Sequence, residues 1–290
     1  MKILVVGGAG YIGSHMVKHL GQLGCSVTTL DNLSGGYRDA VLAGELVVGD
    51  IADRALLDAL FTRGQFDAVM HFASFIQVGE SVKEPAKYYQ NNVSNTLTLL
   101  DAMRGAGVKK FIFSSTAATF GEPHYTPIDE IHPQRPINPY GRTKLMVEQV
   151  LADYEVAYGL RSVVLRYFNA AGADPEGQLG ERHDPETHLI PLVLQVASGR
   201  RPHINVFGRD YDTPDGTCIR DYIHIQDLCE AHWLALQSLM QGQGSQAYNL
   251  GNGSGFSVQE VIDAARAVTG QPIPVVDGPR RDGDPARLVA

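Results

Sequence analysis

The sequence predicts an α/β fold, a doubly wound parallel sheet followed by a smaller carboxyl-terminal region. Three observations carry the prediction. The apolar run Ile3-Leu4-Val5-Val6 leads directly into a glycine series. Further short apolar runs then alternate with helical patterns as far as residue 168, the rhythm of a parallel sheet with helical crossovers on both faces. From Gly172 to His188 the composition turns to glycine, proline and charge, which marks the crossing into a second region.

The first element is the strand over residues 3–6. Gly7, Gly8, Gly10 and Gly13 follow it, and a helix is expected from about Ser14. Glycines permit a tight turn and close approach to a diphosphate, while the helix amino terminus offers unpaired N–H groups. A second strand spans 26–30, and Asp31 stands at its end, where a carboxylate accepts from both ribose hydroxyls. Strand, glycine loop, helix and Asp31 together define a Rossmann dinucleotide site. A 2′-phosphate would meet like charge at Asp31, so the expected cofactor is NAD.

Residues 47–51 end a third strand, and a helix follows over 53–62; Asp50 reads either as the cap of that helix or as a contact to the adenine ring. Strand 67–72 runs into the small-residue turn Ala73-Ser74. Helix 91–104 carries Val93, Leu97, Leu100 and Met103 on helical spacing, suited to the core or a dimer face. Strand 109–115 ends at Thr116. Ligands in such sheets sit at the carboxyl ends of strands, so Thr116 reads as a substrate partner or as a turn hydroxyl.

After a proline-rich loop over 121–139 comes Asn138-Pro139-Tyr140-Gly141-Arg142-Thr143-Lys144. Asn138 suits an N-cap and Pro139 the first helical position, which puts Tyr140 and Lys144 one turn apart on one face. A free phenol has a pKa of about 10, so proton abstraction near pH 7 asks for roughly three units, or about 4 kcal/mol. One cation about 4 Å away at an effective dielectric of about 20 supplies an energy of that order. The helix also shows two apolar faces, Met146, Val150 and Ala157 on one and Val147, Leu151, Tyr154 and Tyr158 on the other. Burial on both sides is expected, and with it a homodimer in which this helix and helix 91–104 pack against their copies.

A sixth strand occupies 161–168. Past the crossing, residues 220–240 are expected to return to the first domain, so the expected division is 1–169 for the dinucleotide-binding domain and 170–290 for the substrate-binding domain. A short strand ends over 248–251, and Ser257 caps a helix that runs to about Val268. The ten histidines show no spaced metal cluster, and His71, His188 and His224 read as polar core or loop residues; no metal is expected. Cys25, Cys218 and Cys229 lack pairing or metal spacing and read as reduced packing residues. No apolar run reaches the roughly 18 residues that span a bilayer. A cytoplasmic protein without membrane contact is therefore expected. The net charge of −8 disfavours nucleic acid, and an anionic substrate needs local arginines.

With these residues assembled, the chain resembles the nucleotide-sugar 4-epimerases of the extended short-chain dehydrogenase/reductase family. The likeness extends to Tyr11-Ile12-Gly13-Ser14-His15, Val78-Gly79-Glu80-Ser81-Val82, Lys144-Leu145-Met146-Val147-Glu148-Gln149, Arg166-Tyr167-Phe168-Asn169 and Arg220-Asp221-Tyr222-Ile223-His224. It implies NAD contacts from Gly7, Gly10, Tyr11, Ile12, Gly13, Asp31, Asn32, Asp50, Ile51, Phe72, Ala73, Asn91, Thr116, Tyr140, Lys144 and Phe168. It implies nucleotide-sugar contacts from Thr116, Asn169, His188, Leu189, Asn205, Phe207, Arg220, Arg281 and Asp284, with the two arginines at the diphosphate.

The implied reaction interconverts UDP-glucose and UDP-galactose through a 4-keto sugar. Tyr140 takes the 4-hydroxyl proton, Thr116 bonds to the same oxygen, and Lys144 depresses the phenol pKa. The chain departs from the family at Ile76, where a lysine is common, and at His188, where an asparagine is common. Relatives are also expected to continue beyond Ala290. Leu288 falls where bulk limits the sugar C2 substituent, so some tolerance of N-acetyl sugars is expected. Ala117 and Ala118 follow Thr116 where a dehydratase needs an acid and a base, which counts against elimination. The rival of another class is a non-catalytic NAD-sensing module, against which the retained Thr116, Tyr140 and Lys144 weigh.

Overall fold

In the computed structural model, residues 1–281 and 284–290 are described. The chain opens with β1 (Lys2–Val6), α1 (Tyr11–Gln22), β2 (Ser26–Asp31), β3 (Glu45–Val48), α2 (Arg54–Gly64) and β4 (Ala68–His71). Two short helices, α3 (Val78–Lys83) and α4 (Pro85–Tyr89), lead through a π-helical turn at Gln90–Ser94 into α5 (Asn95–Gly105). Then come β5 (Lys110–Thr116), the long α6 (Pro139–Tyr158), β6 (Arg161–Tyr167) and β7 (Asn169–Ala171). The remainder comprises α7 (Leu189–Ala197), β8 (Ile204–Phe207), β9 (Ile219–Arg220), β10 (Tyr222–His224), α8 (Ile225–Met240), β11 (Gln246–Leu250), β12 (Phe256–Ser257), α9 (Val258–Thr269), β13 (Val275–Gly278) and β14 (Arg287–Leu288).

The main sheet has seven strands in the order β11-β6-β5-β4-β1-β2-β3, all parallel. Its central strands are buried on both faces, which is why Ile3 to Val6 and Phe111 to Phe113 read as continuous apolar runs rather than alternating ones. One face packs Leu4, Val69, Phe111 and Phe113 against Leu57, Leu99, Met103, Val147 and Leu151 of α2, α5 and α6. The other packs Ile3, Val5, Met70 and Ile112 against Met16 and Leu20 of α1 and Leu236 and Leu239 of α8. The strand order reverses between β1 and β4, so the carboxyl ends of these strands open the crevice where such sheets bind ligands.

The return to this sheet reaches further than expected. It takes in α8 and also β11, which pairs with β6. The smaller region has its own core of Val193, Val196, Ile204, Val206, Ile262 and Ile273, built from α7, α9 and the parallel pair β8–β13. Two small sheets, β10–β7 and β12-β9-β14, bring its remaining strands up to the end of β6.

Boundaries differ from the sequence reading in three instructive places. Helix α1 begins at Tyr11 rather than Ser14, with Gly10 as its extended N-cap, so Gly13 lies inside the first turn. Asp50 is not the cap of α2; Asp53 caps it by accepting from the Leu56 N–H at 3.0 Å. Each apolar face of α6 is buried only in part: Val147 and Leu151 are covered but Tyr158 at the end of their face is exposed, and Val150 packs on the core while Met146 and Ala157 are exposed.

Candidate active site

The glycine loop is shaped by close approach. Gly7 has a φ of +80°, and a β-carbon there would stand 2.5 Å from the Ala73 nitrogen. A β-carbon at Gly13 would stand 2.1 Å from the Gly7 carbonyl oxygen, so α1 seats against the loop only with glycine at 13. The N-cap Gly10 offers no side-chain acceptor, which leaves the first-turn N–H groups of α1, at Tyr11 and Ile12, directed outward for an anion.

Asp31 lies at the end of β2, buried, its two oxygens accepting from the backbone N–H of Ala9 (2.9 Å) and Leu33 (2.8 Å). A carboxylate has about four acceptor positions, so about two remain for ribose hydroxyls. Burial raises the Asp31 pKa, opposed by those two hydrogen bonds. Asn32 donates to Asp50 Oδ2 at 2.7 Å, and Asp50 Oδ1 accepts from the Ala52 N–H at 2.8 Å, which sets both beside Ile51 beyond β3. These groups fit a dinucleotide with free ribose hydroxyls.

The catalytic trio assembles at the other side of the crevice. Asn138 caps α6 by accepting from the Gly141 N–H at 2.8 Å, and Pro139 occupies the first turn as expected. Tyr140 and Lys144 are both buried. Lys144 Nζ donates to Ser74 Oγ and to the Ser114 carbonyl, each at 2.8 Å, and lies 4.9 Å from the centre of the Phe113 ring. An ammonium has three donors, so one stays available. Thr116 ends β5, and its hydroxyl accepts from the Ala118 N–H at 3.1 Å beside the Tyr140 phenol. The turn role of that hydroxyl is what the structure shows.

Electrostatics correct one expectation. Burial pushes the Tyr140 phenol up to about 12, with the Thr116 hydroxyl acting the other way. Burial pulls the Lys144 ammonium down to about 7, opposed by the Glu148 carboxylate one turn further along α6. Lys144 gives two of its three donors to Ser74 and Ser114, and burial leaves the phenol above its ordinary value rather than below it.

Several supporting residues carried no signal of their own in the sequence. Ser74 was visible only as part of a small-residue turn, yet it holds Lys144. Asn92, buried in the π-helical turn, bonds to both backbone groups of Phe75 and donates to Thr143 Oγ1 at 3.2 Å. It ties the 74–77 loop, including the exposed Ile76, to α6. Its neighbour Asn91 donates to Asn92 Oδ1 at 2.9 Å. Behind Thr116, Glu148 accepts from the Ser115 hydroxyl, from Gln134 and from Arg166, whose guanidinium lies 2.7 Å from Oε2. Phe72 packs on His232, with ring centres 4.9 Å apart.

The expected nucleotide-sugar residues lie in three groups. Arg220, Arg281, Asp284 and Phe207 come together: Asp284 is 3.6 Å from the Arg220 guanidinium and accepts from Arg281 Nε at 2.8 Å, while Arg281 lies over the Phe207 ring at 5.1 Å. Asn205 is two residues before Phe207 on β8. Asn169 starts β7 and donates to the Asp221 carbonyl at 2.9 Å, next to Arg220. His188 and Leu189 begin α7. Phe168 and Leu288 pack against Ala117, Phe120 and Ile128, which brings the carboxyl-terminal β14 to the wall beside Thr116.

One grouping was missed altogether. Glu181, His183, Glu186 and His188 gather their ligand-type atoms within 4.8 Å of one another. Histidine spacing alone passes over it because two of the four members are glutamates.

A dinucleotide crevice with a buried tyrosine, lysine and threonine at the strand ends defines a dehydrogenase-type α/β enzyme. Residues 3–251 match the NAD dependent epimerase/dehydratase family, and the chain belongs to it. It is 56% identical over 290 residues to the UDP-glucose 4-epimerase of Halalkalibacterium halodurans, covering 100% of this chain and 87% of that protein. The crystal structure of UDP-glucose 4-epimerase from Brucella ovis in complex with NAD superposes with a TM-score of 0.97 at 54% identity, covering 99% of this chain and 89% of that one. A Stenotrophomonas maltophila UDP-glucose-4-epimerase with bound NAD and formylated UDP-arabinopyranose gives 0.96 at 44% identity, covering 100% and 89%.

Proposed function

We propose that this chain interconverts UDP-glucose and UDP-galactose by reversible oxidation at sugar C4, with NAD as a resident cofactor. The observation that carries the reading is the buried Tyr140 phenol set beside the Thr116 hydroxyl at the end of β5, with the buried Lys144 one turn along α6. Tyr140 takes the proton from the 4-hydroxyl, and Thr116 holds the same oxygen in line. NAD, when bound, would supply the hydride acceptor and donor for C4. Lys144 turns its free donor to the nicotinamide ribose and steadies the phenolate. The resulting 4-keto sugar turns about its link to the diphosphate, so return of hydride and of the Tyr140 proton inverts C4.

Arg220 and Arg281 hold the diphosphate, exchanging their contacts to Asp284 for phosphate oxygens. The chain is read as two parts meeting near residue 169, with 220–250 returning to the first. A cytosolic location belongs to the same reading; among the described residues no helix is long and apolar enough to cross a membrane. The test is to follow the sugar anomeric protons by NMR after adding UDP-galactose. Conversion to UDP-glucose is the expected result, and no conversion with NAD fully bound would leave the chain a binding module. Leu288, packed against the cluster that includes Ala117, is smaller than the tyrosine of some relatives, so UDP-N-acetylglucosamine is expected to turn over as well, and its inertness would reject that tolerance.

The chain is also proposed to form a homodimer. On α6, Met146 is 41% exposed and Ala157 is exposed, and no described residue covers that stripe. Light scattering at micromolar concentration should give twice the 31.5 kDa chain mass, and a monomer mass would contradict the proposal.

A further inference from the structure

We propose that Glu181, His183, Glu186 and His188 form a tetrahedral site for a divalent transition metal of the zinc type. The residues lie in the segment that runs from β7 to the start of α7, next to the edge of Tyr11 in the cofactor loop, whose ring centre is 6.4 Å from that of His183. His188 Nδ1 lies 2.7 Å from Glu181 Oε1 and 3.3 Å from Glu186 Oε1. His183 Nδ1 lies 3.2 Å from Glu181 Oε1 and 3.8 Å from Glu186 Oε2. A tetrahedron with bonds of about 2.0–2.1 Å has edges of about 3.3 Å. These contacts scatter about that value.

Three further observations favour a cation over two ordinary ion pairs. Neither Nδ1 is aligned for a hydrogen bond to a carboxylate, despite the short distances. The two carboxylate side chains are largely covered, 9% and 5% exposed, which favours compensation of their charge, while His183 and His188 stay partly exposed. Compensation by protonation would put two imidazolium rings 5.1 Å apart. A dication instead balances both carboxylates and takes a lone pair from each neutral imidazole. Glu186 is already fixed for this, since its Oε1 accepts from the N–H groups of Thr187 and His188 at 2.7 and 2.8 Å. Two imidazole nitrogens and two carboxylate oxygens suit Zn²⁺ or Co²⁺, whereas Mg²⁺ and Ca²⁺ take oxygen donors. Occupancy ties the 181–188 segment, between the cofactor loop and α7, into one geometry.

The test is calorimetric titration of the chelator-treated, NAD-containing protein with ZnCl2. One zinc per chain is expected, with Glu181→Gln and His183→Ala each weakening binding at least tenfold and MgCl2 giving no saturable heat. CoCl2 should give the visible absorption of four-coordinate cobalt. Retained NAD reports folding of each variant, and the isosteric Glu181→Gln decides the matter if His183→Ala loses its cofactor. Absence of saturable zinc binding, or zinc affinity unchanged in the folded variants, would overturn the site.

Discussion

Replacing Tyr140 with phenylalanine is expected to slow conversion of UDP-galactose by about 10²–10⁴-fold, the usual worth of a positioned acid–base group, while NAD stays bound. The substitution removes one oxygen from a buried side chain. Thr116 keeps its bond from the Ala118 N–H, so the β5 terminus stays in place. Lys144 keeps its bonds to Ser74 and Ser114. Anomeric-proton NMR gives the rate, and the NAD content of the purified variant gives the occupancy. A residual rate within tenfold of the parent would take the proton-transfer role away from Tyr140.

The second large effect concerns stability. Arg166→Met is expected to cost about 3–5 kcal/mol, because it leaves the Glu148 carboxylate buried without its cation. The pair is closed from solvent, with side chains 9% and 7% exposed, and it supports Ser115 next to Thr116. Adding Glu148→Gln to Arg166→Met should recover most of the loss, since the buried carboxylate left without Arg166 is then removed. Denaturant unfolding measures both. A loss below about 1 kcal/mol for the single variant would show that the carboxylate finds water or another partner.

The parallel sheet and the dinucleotide loop were legible because their signals are local. An apolar strand, three spaced glycines and an acid after the next strand each lie within a few residues of what they organise. Asn138 and Pro139 were equally readable as a helix start, and the structure places both as expected. The extent of the first sheet was less so. β11 is short and only partly buried, and only its pairing with β6, across some eighty residues, reveals its place.

The support beneath the site was harder still. Ser74, Asn92 and Glu148 are ordinary polar residues whose importance comes from partners distant in the chain. Leu288 likewise reaches the Ala117 wall only through the pairing of β14 with β9. The upward push of burial on the phenol was not legible for a related reason. Spacing gives the distance between Tyr140 and Lys144 but not the cost of burying both, which dominates each shift.

The central claim is that C4 gives up a hydride and receives the same hydride back while Tyr140 handles only the hydroxyl proton. UDP-galactose carrying deuterium at C4 tests it most directly. After conversion in ordinary water, NMR of the UDP-glucose formed should show deuterium still at C4. Replacement of that deuterium by solvent hydrogen would mean that C4 loses a proton instead, and the account of Tyr140, Lys144 and Thr116 given above would be wrong.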